Sequence, residues 1–284
     1  MKILLIGHSI IDHIEEKGEI KPGGVYYSVL GFYSSFQLDD HLTLITGKNP
    51  KYYQLFEPLY SNVDLTLFDE TKDMPEVFLY TSGKTERREV YKNISARLNV
   101  EKIDDFSFFD GIMINMTTGF DITIDQLKWI RSKYRSLIYM DIHSLSRGID
   151  EFKKREFRKI PQVEEWLSCI DIMQCNESEL KTICDLESEE ANAKWIINKG
   201  VKTVIITKAQ NGVSLYNNEI GKLCLNAEKI NVKNKIGCGD IFGATFFYSY
   251  IGNNDIRNSL YKANHAGSVA ASIENLSKYM RIVF

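Results

Sequence analysis

Short apolar runs, each closed by a polar residue or a glycine, constrain this chain most. They are Lys2–Ile6, 42–46, Gly111–Asn115, 136–141 and Thr203–Thr207, with 170–174 as a probable sixth. Each has the length of a strand, and its near-continuous hydrophobicity is that of a strand buried on both faces. Helical patterns lie between and after them, at 25–36, 125–134, 178–184, 191–198, 243–250 and 258–271. Strand and helix in alternation predict an α/β fold in which helices cover both faces of a mostly parallel central sheet. At 284 residues, 44% of them hydrophobic and 26% charged, the chain can bury one full core. In such sheets ligands bind beyond the carboxyl ends of the strands. Asp12, Asp141, Asn176 and Thr207 collect there.

Two segments break the alternation. One follows the first strand, over about 10–24. The other spans about 63–98 and reads as a β-hairpin turning at Ser82-Gly83. Together they predict a small sheet outside the main layers, either a lid over a pocket or a peripheral hairpin. The whole chain, 1–284, then forms one domain.

The segment Asn234-Lys235-Ile236-Gly237-Cys238-Gly239-Asp240-Ile241-Phe242-Gly243-Ala244 carries the chemistry. Two glycines and a small residue precede an acid and a helical apolar run. The first N–H groups of a helix have no intrahelical partner and favour anions. Glycines let an anion approach closely. Asp240 would repel a phosphate unless it serves as a base for the attacking hydroxyl. The plain alternative is a glycine turn with Asp240 as an N-cap.

Other chemistries fit poorly. A net charge of −3 offers no basic field for nucleic acid or membrane. No apolar stretch is long enough to span a bilayer. Five scattered cysteines without a Cys-x-x-Cys pair suggest neither zinc nor a disulfide framework, and point to a reducing cytoplasm. The first strand leads into Gly7-His8-Ser9, which is not a dinucleotide fingerprint. The opening residues read as a strand rather than a secretion signal.

In order along the chain stand Gly7 with Asp12, then Pro22-Gly23-Gly24, Asn176-Glu177-Ser178-Glu179, Thr207 to Gly212, and Gly237-x-Gly239-Asp240. This order resembles the ribokinase-like (PfkB) family of carbohydrate and nucleoside kinases along nearly the whole chain. The resemblance implies a three-layer fold with a β-sheet lid. It implies ATP-dependent phosphorylation of a small sugar, polyol or nucleoside. Asp240 would be the base, with the backbone of Gly237, Cys238 and Gly239 as the anion hole. Asp12, Gly23 and Gly24 would bind the substrate. Asn176, Thr207, Gly212 and His265 would lie along the nucleotide, and Asn176 with Glu179 would place Mg2+ through water. Asn176 and Glu179 also have the spacing of a capping box. Asp141 and His143 resemble a family stretch near the transfer site, and a buried role for His265 is the plain alternative to an adenine contact.

The chain departs from the family pattern at several positions. Asn234 and Lys235 replace an acid and a threonine, which puts activation by K+ in doubt. Ala209 replaces a glycine, and Ile10 and Ser28 replace substrate-binding asparagines. Thr46-Gly47-Lys48-Asn49 replaces the usual acidic motif. Tyr26 and Tyr27, after the glycine pair, would offer aromatic faces to a substrate or be buried. Exposed lid strands offer a surface for homodimerisation. A rival reading is a non-catalytic sensor of a nucleotide or sugar.

Overall fold

The computed structural model describes residues 1–15, 18–80, 88–276 and 279. The chain opens with β1 (Lys2–Ile6), β2 (Ser9–Ile14) and β3 (Glu19–Gly24), followed by α1 (Tyr26–Tyr33), β4 (His41–Ile45), β5 (Gly47–Lys48), α2 (Tyr53–Tyr60) and β6 (Asp69–Glu70). β7 (Glu76–Tyr80), β8 (Arg88–Asn93), β9 (Gly111–Asn115), α3 (Ile124–Lys133) and β10 (Leu137–Asp141) come next. Then follow β11 (Arg147–Ile149), β12 (Arg155–Phe157), α4 (Val163–Ser168), β13 (Ile172–Asn176), α5 (Glu177–Ile183) and α6 (Glu189–Asn198). The chain closes with β14 (Thr203–Thr207), β15 (Val213–Asn217), β16 (Gly221–Leu225), α7 (Cys238–Asn253) and α8 (Ile256–Ser272).

An eight-stranded sheet in the order β16-β15-β14-β13-β10-β9-β1-β4 forms the middle layer. The six strands from β14 to β4 run parallel, and β15 and β16 close one edge as an antiparallel hairpin. Those six are the six apolar runs read from the sequence. β16 escaped that reading because it is exposed or half-buried throughout, and β15 because Ser214 interrupts its buried residues, so neither is a continuous apolar run.

The alternation within β1 shows how both faces are filled. Ile3 and Leu5 join a core with Val29, Phe246 and Phe247, on the side of α1, α7 and α8. Leu4 and Ile6 join Leu127, Ile130 and Ile196, on the side of α3 and α6. All four β1 side chains are fully buried, and each contributes on the order of 1.5–3 kcal/mol relative to exposure. α3 starts on a capping box: Thr123 accepts from the Gln126 N–H, and Gln126 accepts from the Thr123 N–H.

A separate four-stranded sheet has the order β3-β2-β7-β8. Two antiparallel pairs are joined by the parallel pair β2–β7. It is the small accessory sheet expected from the two irregular segments. Its Ser82-Gly83 turn lies outside the described residues. Two helices had no clear signal: α2 carries Pro58 in its interior, and α4 has only six residues. Among the described residues no helix is long and apolar enough to cross a membrane, and all five cysteines are free.

Candidate active site

The helix that carries Asp240 begins without a side-chain cap. Gly237 is its N-cap, with φ +78° in the left-handed region, where glycine carries no steric penalty. The intrahelical ladder starts only at the Ile241 N–H to the Gly237 carbonyl, 3.0 Å. The N–H groups of the first turn therefore precede the ladder, at the positive end of the helix dipole. A Cβ built on Gly237 would lie 2.4 Å from the Tyr27 ring, whereas one on Gly239 would meet nothing nearer than Gln174 Nε2 at 3.8 Å. Gly237 is thus shaped by its neighbour, and Gly239 leaves open room in front of the helix. That opening suits an oxyanion or phosphate.

Asp240 does not cap the helix. It sits in the first turn, and its Oδ1 accepts from Asn115 Nδ2 at 2.6 Å. Asn115 ends β9 and donates its other Nδ2 hydrogen to Ser28 Oγ on α1, 2.9 Å away. The carboxylate is therefore fixed by the central sheet and by a neighbouring helix. Asn115 was not singled out from sequence, although its place at the polar end of an apolar run was the available signal.

Asp240 and Gly237 face a cleft that also receives Asp12, Gly24, Tyr27, Thr117 and His143. The accessory sheet contributes Val77, Leu79, Glu89 and Tyr91 to the same cleft. Asp12, from β2, is 5% exposed. A Cβ on Gly23 would lie 2.2 Å from its Oδ2, so the glycine makes room for that carboxylate. Gly24 has φ +62°, and a Cβ there would lie 2.2 Å from the His8 carbonyl. The accessory sheet is tied down by Arg155. This buried guanidinium lies 4.6 Å from the Tyr91 ring centre and donates to Tyr91 OH, Ser144 O, Arg147 O and Thr118 O. Glu89 and Arg155 were missed by the sequence reading, because a charged residue on an edge strand ordinarily reads as solvated, and Tyr91 because nothing in its own segment announces Arg155.

Behind Asp240, Gln174 on β13 donates to Asp141 Oδ2 at 2.9 Å and to the Gly239 carbonyl at 3.1 Å, and accepts from Tyr139 OH. Burial pushes the Asp141 carboxyl well above the usual carboxylate range. The charges of Glu179 and Asp240 add to that push, and His143 opposes it.

Asn176 and Glu179 form the capping box of α5. Asn176 Oδ1 accepts from the N–H groups of Ser178 and Glu179 at 2.9 and 2.8 Å, and Glu179 Oε2 accepts from the Asn176 N–H at 2.8 Å. Glu179 Oε1 lies 3.7 Å from His143 Nδ1, so the pair reaches the cleft through His143. Among the described residues no group of three or more His, Cys, Asp or Glu is arranged to hold a metal ion.

Thr207, Gly212 and His265 do not line this cleft. Thr207 ends β14 beside Asn176 on β13. Gly212, at φ +88°, brings the chain within 2.0 Å of Leu225 O for any added Cβ, so only glycine fits. Ala209 holds φ +48° without that freedom. His265 on α8 is exposed and pairs with Glu228 at 2.9 Å, so it is not a packed core residue. Asn234 folds back on Ile236, accepting from its N–H at 3.1 Å and donating to its carbonyl at 2.7 Å.

Residues 149–278 match the family described as pfkB family carbohydrate kinase. The match runs from the end of β11 to just beyond α8. The likeness over that stretch is to carbohydrate kinases. No curated protein matches the chain. Solved structures with the same fold include a pyrophosphate-dependent kinase of the ribokinase family complexed with a pyrophosphate analogue and myo-inositol. It has a TM-score of 0.81 and 15% identity, covering 100% of this chain and 99% of the other. Ribokinase from Thermotoga maritima has a TM-score of 0.75 and 16% identity, covering 100% and 98%. A putative ribokinase II from E. coli, in complex with ATP and Mg2+, has a TM-score of 0.75 and 15% identity, covering 99% and 97%. The ribokinase-like fold accounts for the three layers and the accessory sheet.

Proposed function

We propose that this protein is a PfkB-type kinase, which transfers the terminal phosphoryl group of Mg-ATP to a hydroxyl of a small sugar, sugar derivative or polyol. One observation carries the reading: a carboxylate, Asp240, stands in the first turn of an uncapped helix and faces a cleft lined by a second carboxylate, Asp12. Asp240 takes the proton of the attacking hydroxyl, and Asn115 holds its Oδ1 in place. The backbone N–H groups at Gly237, Cys238 and Gly239 stabilise the charge on the transferring group. Gly23 and Gly24 place the accessory sheet beside the acceptor, and Asp12 accepts from its hydroxyls. We assign the accessory sheet the role of a lid.

Thr207 and Gly212 border the nucleotide, and Asn176 and Glu179 would hold the hydration shell of its Mg2+. A carboxylate and an amide on one helix turn suit a cation that keeps its waters. The ion would neutralise charge on the donor phosphates. The proposed setting is the cytoplasm. An exposed lid edge is the proposed surface for homodimerisation.

A second donor is favoured by one observation. Asn264 and His265 on α8 bond to the Asn226 carbonyl at 3.1 Å and to Glu228 at 2.9 Å. The family resemblance sets His265 beside an adenine, and here its ring is engaged by Glu228, so a donor without a base, pyrophosphate, is a second candidate, as used by a solved kinase of the same fold. Phosphoryl transfer should be assayed with ATP and with pyrophosphate. Asp240→Asn should lower turnover by about 10²–10⁴-fold with an unchanged melting temperature. Normal turnover in that variant would remove Asp240 as the base, and no transfer from either donor to any alcohol would favour a binding protein.

A further inference from the structure

We propose that the cavity between the accessory sheet and the loop before α7 is a ligand site of its own, and that it takes a small organic anion, one phosphate or carboxylate group on an apolar body. The inference does not rest on the kinase reading.

The cavity measures about 250 Å³, just below the usual range of small-molecule sites, which begins at about 300 Å³. The accessory sheet contributes Ile14, Lys21 and Pro22, and α1 contributes Tyr26 and Tyr27. Loop 232–236 and residues 274–276 complete the lining. Tyr27 and Ile236 also line the cleft at Asp240, so the two spaces adjoin. Asn176, Thr207 and Gly212, proposed above to border the nucleotide, do not line this cavity. Ile14, Tyr26, Tyr27 and Leu276 are each at most 7% exposed, so an apolar body here would leave water for a buried apolar surface.

The charged part of the lining is mostly basic. Lys21, Lys233 and Lys235 stand against one carboxylate, Glu274. Lys21 also pairs with Glu19 at 2.6 Å. Lys233 and Lys235 form no ion pair with a described residue. Their loop is anchored by its main chain: the N–H groups of Lys233 and Asn234 donate to the Ala271 carbonyl at 2.8 and 3.1 Å, and the Asn234 side chain closes on Ile236. None of these bonds uses a lysine side chain. Two ammonium groups held beside one opening favour an anion over a neutral or cationic ligand.

Tyr26 points to the same class. Its ring packs on Tyr27, Phe56 and Tyr60, with centres 5.7–6.2 Å apart. Its hydroxyl has no hydrogen-bond partner among the described residues, whereas a buried phenol ordinarily has one. Burial pushes the Tyr26 phenol above its ordinary pKa, which keeps it a neutral donor near pH 7. A phosphate or carboxylate in the cavity would accept from it.

Calorimetric titrations of the full chain should use phenyl phosphate and benzoate, with inorganic phosphate and phenol as controls that carry only the charge or only the body. Phenyl phosphate or benzoate should bind with Kd below about 1 mM, and both controls about tenfold more weakly or worse. Which of the two anions binds identifies the charged group. Replacing both lysines, Lys233→Gln with Lys235→Gln, should raise Kd about fivefold or more. Tyr26→Phe should raise it about threefold or more and leave the melting temperature unchanged, because no hydrogen bond within the protein is lost. The inference is overturned if neither organic anion binds, if inorganic phosphate binds as tightly as phenyl phosphate, or if the folded lysine and Tyr26 variants bind normally. Loss of phosphoryl transfer would bear on the kinase reading alone.

Discussion

Asn115 Nδ2 lies 2.6 Å from Asp240 Oδ1, joining the end of β9 to the first turn of α7. The same amide is held at 2.9 Å by Ser28 Oγ. A hydrogen bond to a charged group is worth on the order of 1.5–3 kcal/mol, or about 10–100-fold in rate if it is needed in the transition state. Asn115→Ala should therefore lower kcat by about that factor and change acceptor KM less. Steady-state kinetics at saturating donor would test it. An unchanged kcat would mean that Asp240 is positioned by its helix alone.

Gly237→Ala should damage both stability and turnover. The left-handed φ costs a non-glycine residue on the order of 1–2 kcal/mol, and the new methyl would press on the Tyr27 ring. A fall in melting temperature together with a raised donor KM is expected. Gly239→Ala, which has open space around its Cβ, should keep stability within about 1 kcal/mol and lose turnover, because the methyl intrudes into the proposed phosphate position.

Glu179 separates a structural role from a metal role. Glu179→Gln keeps an oxygen that accepts from the Asn176 N–H, so the capping box persists and stability should change by less than about 1 kcal/mol. If the carboxylate also orders the waters around Mg2+, the Mg2+ concentration for half-maximal rate should rise several-fold. An unmoved Mg2+ titration would leave the pair as a cap and nothing more.

Glu76 gives the accessory sheet a pH dependence. Burial alone would raise its pKa, but Lys92, His13 and Tyr52 bond to it and together hold it below its ordinary value. A carboxylate whose folded pKa is depressed contributes stability that is present above its unfolded pKa, about 4.3. That contribution is lost as pH falls through the lower folded value. Glu76→Gln should cost about 1–3 kcal/mol at pH 7. The gap between the two proteins should narrow below about pH 4.3. Denaturant melts across pH 3–7 would show a constant gap if the carboxylate charge is irrelevant.

Asp121 is the most heavily used acid in the loop after β9. It accepts from the N–H groups of His8, Thr118 and Gly119 and from the hydroxyls of Thr117 and Thr118, at 2.8–3.0 Å. Asp121→Ala leaves these buried donors unmatched, and should lower stability by about 3 kcal/mol or more. Chemical denaturation measures this directly. A loss under about 1 kcal/mol would mean that water replaces the carboxylate.

The parts of this protein that were legible in its sequence are those where one local pattern has one physical meaning. A run such as Ile3 to Ile6 must be buried on both faces, and the two cores confirm it. The Gly-x-Gly-Asp segment marks a helix start whatever surrounds it. What stayed hidden depends on contacts between distant segments. Asn115 reaches across 125 positions to Asp240, and Arg155 reaches across 64 to Tyr91. No spacing within either segment announces such a pair. The Asn176 and Glu179 spacing was visible but ambiguous, because capping and cation placement ask for the same two residues.

The contact between Gly237 and Tyr27 limits how this position can change over time. A side chain at 237 needs both a backbone angle that suits it and a smaller neighbour at 27, and neither change helps without the other. Shrinking Tyr27 first opens the cleft wall while φ stays at +78°. Replacing Gly237 first drives a methyl into the ring. Single-step drift away from glycine is therefore blocked in both orders. A position locked in this way keeps its residue while its surroundings diverge.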